Sequence, residues 1–278
     1  MGARMFAGGA VLGSVAALFV LDLALGSRAA LSSLAVLFGL LGWCELAALA
    51  GIGRREKGGG PLLFAVGFAG TAWFLALGWR SGGGASGHAA FAEAGIAILL
   101  ILAFASVVFR PEPAKGLEPL LVTVIGVLLC GYLFSFAVRI YQREDGARLI
   151  AFFLVGVKGN DVAAYLVGTR FGRRRVFPVS PKKTLEGALA ALAFGILWFG
   201  GSSWIRPDLF LPFPAGLGAG LVLSAAAQLG DLSESLIKRY YRAKDSGALL
   251  PGLGGVLDVL DSFFYCGFLF WGALEAHR

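Results

Sequence analysis

The sequence predicts an all-α polytopic membrane protein of about nine transmembrane helices with its N-terminus in the cytoplasm. Three observations predict it. Mean hydropathy is +0.79 with only 15% charged residues, far outside the range of soluble domains. Apolar runs long enough to cross a hydrocarbon core of about 30 Å, which takes roughly 20 helical residues, recur along the whole chain. Lys and Arg crowd one alternate set of the loops between those runs, the mark of a cytoplasmic side.

The first expected span, 8–26, follows Arg4 and resembles a secretory leader in position. The next apolar run comes almost at once with no clear small-residue cleavage site between them, so it is read as a retained helix. Spans 29–51, 61–79, 89–109 and 119–141 follow, and read as packing material. The last four, 149–169, 187–205, 215–237 and 253–274, carry nearly all the polar residues expected inside the membrane. The chain is therefore one membrane domain in two regions: a lipid-facing scaffold over 1–148 and a candidate catalytic region over 149–278. Counting basic residues on alternate sides leaves Arg28, Arg80, Arg139, Arg143, Arg148, Arg206 and Arg278 outside and places twice as many or more inside. Topology thus accounts for much of the +7 net charge, and no nucleic-acid partner is implied.

Cys44, Cys130 and Cys266 lie far apart in apolar runs without metal-ligand spacing, which argues against a disulfide framework or a zinc site. His88 and His277, in a loop and next to the C-terminus, leave nothing for a histidine triad.

Ionisable groups in a membrane helix cost several kcal/mol by insertion scales and mark function by default. Lys158, Asn160 and Asp161 fall near the middle of the sixth span, Asp231 and Glu234 near the end of the eighth, and Asp258 and Asp261 near the start of the ninth. With a rise of about 1.5 Å per residue and alternating direction, Asp161, Asp231 and Asp258 come out at one depth, roughly 9–12 Å from the cytoplasmic ends. Asp231, Ser235 and Lys238 follow one helical stripe, and Asp258 and Asp261 are spaced to share a face. Carboxylates at one level repel unless a cation sits among them, and all-oxygen ligands suit Mg²⁺, with a second metal or a monovalent cation left open. The bland alternative is that Lys158 pairs with Asp161 and the other acids pair with nearby Arg, as helix glue.

Two basic segments border this layer. "RFGRRRVFPVSPKKTLEG" combines Ser180, Lys182, Lys183 and Thr184 with a helix start, where free backbone N–H groups favour an anion. "KRYYRAKDSGALLPGLGG" offers Lys238, Arg239, Arg242, Lys244 and Asp245, with Gly252, Gly254 and Gly255 allowing close backbone approach. Neither is a P-loop, and for each alone the reading as a capped loop with positive-inside charge prevails. Together they suit a polyphosphate.

From Ser235 through Lys238, Arg239, Lys244, Asp245, Gly247, Leu250, Pro251, Gly254, Gly255, Asp258 and Asp261, the chain resembles the phosphatidate cytidylyltransferase (CDP-diacylglycerol synthase) family. "GDLSES" before it and "ND…Y…FGR…SPKKTLEG" upstream match the same family, so the resemblance covers roughly 150–265 closely and the first half only in hydropathy. Two positions depart from the family pattern: Leu253 stands where the family has His, and Val259 where it has Arg. The resemblance implies an enzyme of the inner membrane that joins CTP to phosphatidate with Mg²⁺ on the cytoplasmic side, giving CDP-diacylglycerol and pyrophosphate in phospholipid biosynthesis. It leaves a homodimer open.

On that reading Asp231 and Asp258 are the expected metal ligands, with Asp261 and Asp161 as ligands or orienting groups. Lys238, Arg239 and Lys244 hold triphosphate or pyrophosphate, and Ser180, Lys182, Lys183 and Thr184 hold the other phosphate. Ser235, Asp245, Gly254 and Gly255 complete the substrate contacts. The alternatives are a CTP-dependent kinase of a polyprenol or phytol, an ion or anion transporter, and an inactive relative, the last suggested by Leu253 and Val259.

Overall fold

A computed structural model describes residues 15, 17–53, 60–80, 86–110, 112–206, 210–250 and 254–277. Arg4, most of the first half of span 8–26, the Arg54, Arg55 and Lys57 loop, Gly252, Leu253 and Arg278 lie outside the described residues.

The described chain is helical, and eight of its helices are long and apolar enough to cross a membrane. These are α1 (Ala29–Ala50), α2 (Gly60–Arg80), α3 (Ser86–Val108), α4 (Pro113–Gln142), α5 (Gly146–Phe171), α6 (Leu185–Ile205), α7 (Ala215–Tyr240) and a final span over Leu257–Ala276. Each matches an expected span to within a few residues at most ends, because an apolar run closed by Gly, Pro or charge leaves little freedom in where a helix stops. Gly51, for instance, ends α1 in the left-handed region at φ 66°, where its N–H bonds back to the Ala47 and Ala48 carbonyls. Residues 17–25, from the expected first span, are also helical.

The last span is not the continuous helix expected over 253–274. It is a short α8 (Leu257–Leu260), a turn at Asp261–Ser262, and α9 (Phe263–Ala276). The Asp261 carboxylate accepts from the Ser262 backbone N–H, offering the chain a local bond in place of the helical one. Asp258 and Asp261 therefore do not sit on one unbroken helix face.

The chain forms two compact units. The first comprises Met1–Gln142 and Tyr241–Leu260, so it takes back a late segment of chain; the second comprises Arg143–Tyr240 and Asp261–Arg278.

In the first unit α1, α2 and α4 pack around Trp43, which is fully buried. Gly67 and Gly126 make room for it: a Cβ would lie 2.1 Å from the indole at Gly67 and 2.7 Å at Gly126. Small residues that let helices approach closely are the usual means of packing where lipid removes the hydrophobic drive between them. Gly42 of α1 opens a further seat for Leu257 and Leu260 of α8.

The second unit is held by α5 against α6, by α6 against α7 and by α7 against α9. Phe152, Phe153, Phe199, Phe210 and Phe270 form its aromatic core, with Phe210 and Phe270 stacked at 4.6 Å between ring centroids. Thr184 starts α6 by accepting from the Gly187 N–H at 3.2 Å, the cap that the sequence placed there.

Candidate active site

The second unit gathers three of the four predicted aspartates. On α5, Lys158 and Asp161 are three residues apart and meet at 3.4 Å. The Lys158 ammonium also donates to Ser262 Oγ at 2.7 Å and stands 4.7 Å from the Phe263 ring centre. Asp231 of α7 forms an ion pair with Lys183 from the loop before α6. Asp261 is buried at the turn before α9. A Cβ at Gly230 would lie 2.2 Å from the Asp261 carbonyl oxygen, so the glycine beside Asp231 lets the turn press against α7. Lys158 and Asp231 each lie within electrostatic reach of Asp161 and of Asp261, Asp161 within reach of Asp261, and Lys183 within reach of Asp161.

The stripe expected along α7 is present on one continuous helix, but Lys238 is engaged within it by the buried Glu234 one turn earlier. Ser235 is buried and Arg239 exposed. Beside the cluster, the buried Ser224 hydroxyl donates to Asn160 at 3.0 Å.

The loop of residues 172–184 is tied down from both ends. Leu185 N–H bonds to the Arg174 carbonyl, and the Glu186 carboxylate accepts from the backbone N–H groups of Arg173 and Arg174. Ser180 lies in a turn closed by the Lys183 N–H, and Lys182 is exposed. Thr184 is buried, its oxygen committed to the helix cap.

Asp258, Lys244, Asp245, Gly254 and Gly255 belong to the first unit. There Asp258 Oδ2 accepts from Ser246 N at 3.0 Å, Ser246 Oγ at 2.8 Å and Gly255 N at 2.7 Å. Gly254 stands at φ 95°, a conformation that disfavours any side chain, and a Cβ there would lie 2.8 Å from the Asp258 carboxylate. Lys244 and Asp245 are exposed. Among the described residues, the Gly255 N–H that the glycine-rich turn could offer to phosphate is directed at the Asp258 carboxylate, and the Gly254 N–H at the Leu250 carbonyl.

One of those carboxylates was not singled out in the sequence. Glu45 of α1 is buried and accepts from Ser246 Oγ at 3.1 Å, Val256 N at 3.0 Å and Leu257 N at 2.9 Å. The available signal was its charge in the middle of an apolar run, the same criterion that selected the aspartates.

Among the described residues no three acidic, histidine or cysteine side chains group closely enough to hold a metal unaided. Mg²⁺ commonly takes only one or two carboxylates and completes its shell with waters and phosphate oxygens. Asp231 and Asp261, in the same unit, are hard oxygen donors of the chemistry that Mg²⁺ takes.

Eight apolar spans define an integral membrane protein, and its second unit carries two acid–lysine pairs, Asp161 with Lys158 and Asp231 with Lys183. The chain belongs to the Cytidylyltransferase family, whose pattern it matches over residues 7–277. It is 35% identical over 143 residues to a phosphatidate cytidylyltransferase of Bacillus subtilis, covering 51% of this chain and 53% of that one. It is 33% identical over 183 residues to phosphatidate cytidylyltransferase 5, chloroplastic, of Arabidopsis thaliana, covering 56% and 45%. A similar match, 41% over 131 residues, covers 46% of this chain and 43% of the uncharacterized protein YnbB of Escherichia coli. The chain aligns with about half the length of these relatives.

Proposed function

We propose that the protein transfers the cytidylyl group of CTP to phosphatidate in the presence of Mg²⁺, giving CDP-diacylglycerol and pyrophosphate. Membership of the family supports the nucleotidyl transfer, and the relatives named for phosphatidate support the lipid. The observation that carries the reading is the placement of Asp161, Asp231 and Asp261 in one membrane unit, with Lys158 paired to Asp161 and Lys183 to Asp231.

A phosphatidate phosphate oxygen attacks the α-phosphorus of CTP, forming the new P–O bond as the bond from the α-phosphorus to the bridging oxygen breaks. Pyrophosphate leaves with that oxygen. No protein nucleophile is needed, so positioning and charge relief are the chemistry required of the chain. Bound Mg²⁺ would supply neutralisation of polyphosphate charge, with Asp231 and Asp261 as its holders and Asp161 orienting them.

Lys183 is paired with Asp231 by a long flexible side chain, and an incoming phosphate can take over that ammonium while the carboxylate is released for its own task. Lys182, Lys238 and Arg239 would hold the remaining phosphates by side chain, with Ser180 and Ser235 as hydroxyl partners; for Lys244, in the first unit, the resemblance to the family alone supports a phosphate contact. Asp258 would act from its own segment by fixing the turn that carries Lys244 and Asp245. The basic loops are proposed to face the cytoplasm of the cell membrane, where CTP is supplied and the two acyl chains need not leave the bilayer.

The test is an assay in detergent with phosphatidate, Mg²⁺ and CTP labelled separately at the α- and γ-phosphates. The proposal expects α-label in the lipid and γ-label in pyrophosphate. Transfer of γ-label to a lipid would indicate a kinase instead, and no lipid product with any label would remove the enzyme assignment.

A further inference from the structure

Glu45 is an intramembrane acid for which the proposed chemistry has no use. Its place in the first unit is specific. One carboxylate oxygen accepts from Val256 N, the other from Leu257 N and Ser246 Oγ, so a side chain of α1 binds both ends of the segment 246–257. Asp258 holds the same segment through Ser246 and Gly255, and the Ser246 hydroxyl bonds to both acids.

The glycines follow the same logic. A Cβ at Gly247 would lie 2.5 Å from Glu45 Oε1, and one at Gly255 would lie 2.4 Å from Glu45 Oε2 and 2.0 Å from Ser246 Oγ. Both are small because Glu45 occupies the space where a side chain would go. Among the described residues, Glu45 and Asp258 thus take the backbone donors of Ser246, Gly255, Val256 and Leu257. A carboxylate in this setting is held by charge-assisted bonds, each stronger than one between neutral groups.

We infer that Glu45 is a positioning residue for cytidylyl transfer: it fixes the segment that bears Lys244, Asp245 and Asp258, and through that segment sets how CTP is held. The inference rests on the proposed function for its link to CTP, but the brace itself can be read without activity. Glu45→Gln keeps the size and removes the charge, leaving amide hydrogens facing backbone donors. Ser246→Ala removes the hydroxyl that joins the two acids and keeps the backbone.

The experiment measures both variants and the wild type in detergent, by amide exchange and by steady-state cytidylyl transfer. In Glu45→Gln, exchange should rise about tenfold or more in the peptide spanning 244–260 while that of α2 stays unchanged. The KM for CTP should rise about tenfold to a hundredfold, the scale of a misplaced binding group, with the KM for phosphatidate within twofold. Ser246→Ala should move both quantities in the same direction, and the double variant should lose less than the two single losses combined. A purely structural role would instead lower the active fraction and leave both KM values alone, which overturns the inference. Unchanged exchange in Glu45→Gln overturns it too. If Glu45→Gln does not fold, wild-type exchange and wild-type KM for CTP in Ser246→Ala have the same force. A wild type that transfers no cytidylyl group would overturn the proposed function and, with it, the link from Glu45 to CTP. Faster exchange in the variant would still establish the brace.

Discussion

The two units use the same side chain, a carboxylate inside the membrane, in opposite ways. In the second unit Asp161 and Asp231 are answered by lysine side chains. In the first unit Glu45 and Asp258 are answered by backbone N–H groups. A lysine partner sits on four rotatable carbons and can leave for a phosphate; a backbone N–H can leave only if the chain around it unfolds. The difference teaches that an expensive acid in a membrane span is not by itself a ligand. Asp261 stands between the two patterns: its carboxylate accepts from the Ser262 backbone N–H and also lies within electrostatic reach of Lys158.

The comparison breaks most visibly at Asp261. Asp261→Asn should lower cytidylyl transfer by about a thousandfold while leaving the protein folded in detergent, as expected when a charged group of the reacting centre is neutralised. Near-normal turnover would remove this acid from the chemistry. Asp258→Asn should cost about a hundredfold, the upper end for a group that orients others, and should speed amide exchange in the peptide spanning 244–260. Loss of turnover with no change in exchange would instead favour direct ligation. Lys183→Ala should raise the KM for CTP or phosphatidate roughly tenfold, since it removes one charge-assisted phosphate contact. Unaltered KM values for both substrates would show that Lys183 only neutralises Asp231. The smallest effect on activity comes from a change in the first unit away from both Glu45 and Asp258. Gly67→Ala should lower stability by about 1–3 kcal/mol through its clash with Trp43, read from thermal unfolding, with both KM values unchanged.

Much of this contrast was legible in the chain. Span positions follow from hydropathy and from the residues that close each run, and Thr184 as a helix start follows from its hydroxyl beside an apolar stretch. The pairing of Lys158 with Asp161 follows from helical spacing alone. Glu45 was harder to read because its partners lie 201, 211 and 212 residues away and are mostly backbone groups, which carry no residue-type signature. The break at Asp261–Ser262 was hidden for another reason. Apolar periodicity on either side of a turn looks the same whether or not the helix runs through it, and the local bond from Ser262 N–H to Asp261 is what interrupts it. The glycines of the late segment were legible as places of close approach, but the sequence could not say that the approaching group is Glu45.

The most direct measurement of the central claim is turnover of Asp231→Asn with α-labelled CTP, phosphatidate and Mg²⁺, on protein whose purification and thermal unfolding match the wild type. The account predicts that labelled lipid falls to background in the variant, because the acid paired with Lys183 is the one available to the polyphosphate. Wild-type formation of labelled lipid by Asp231→Asn would contradict it.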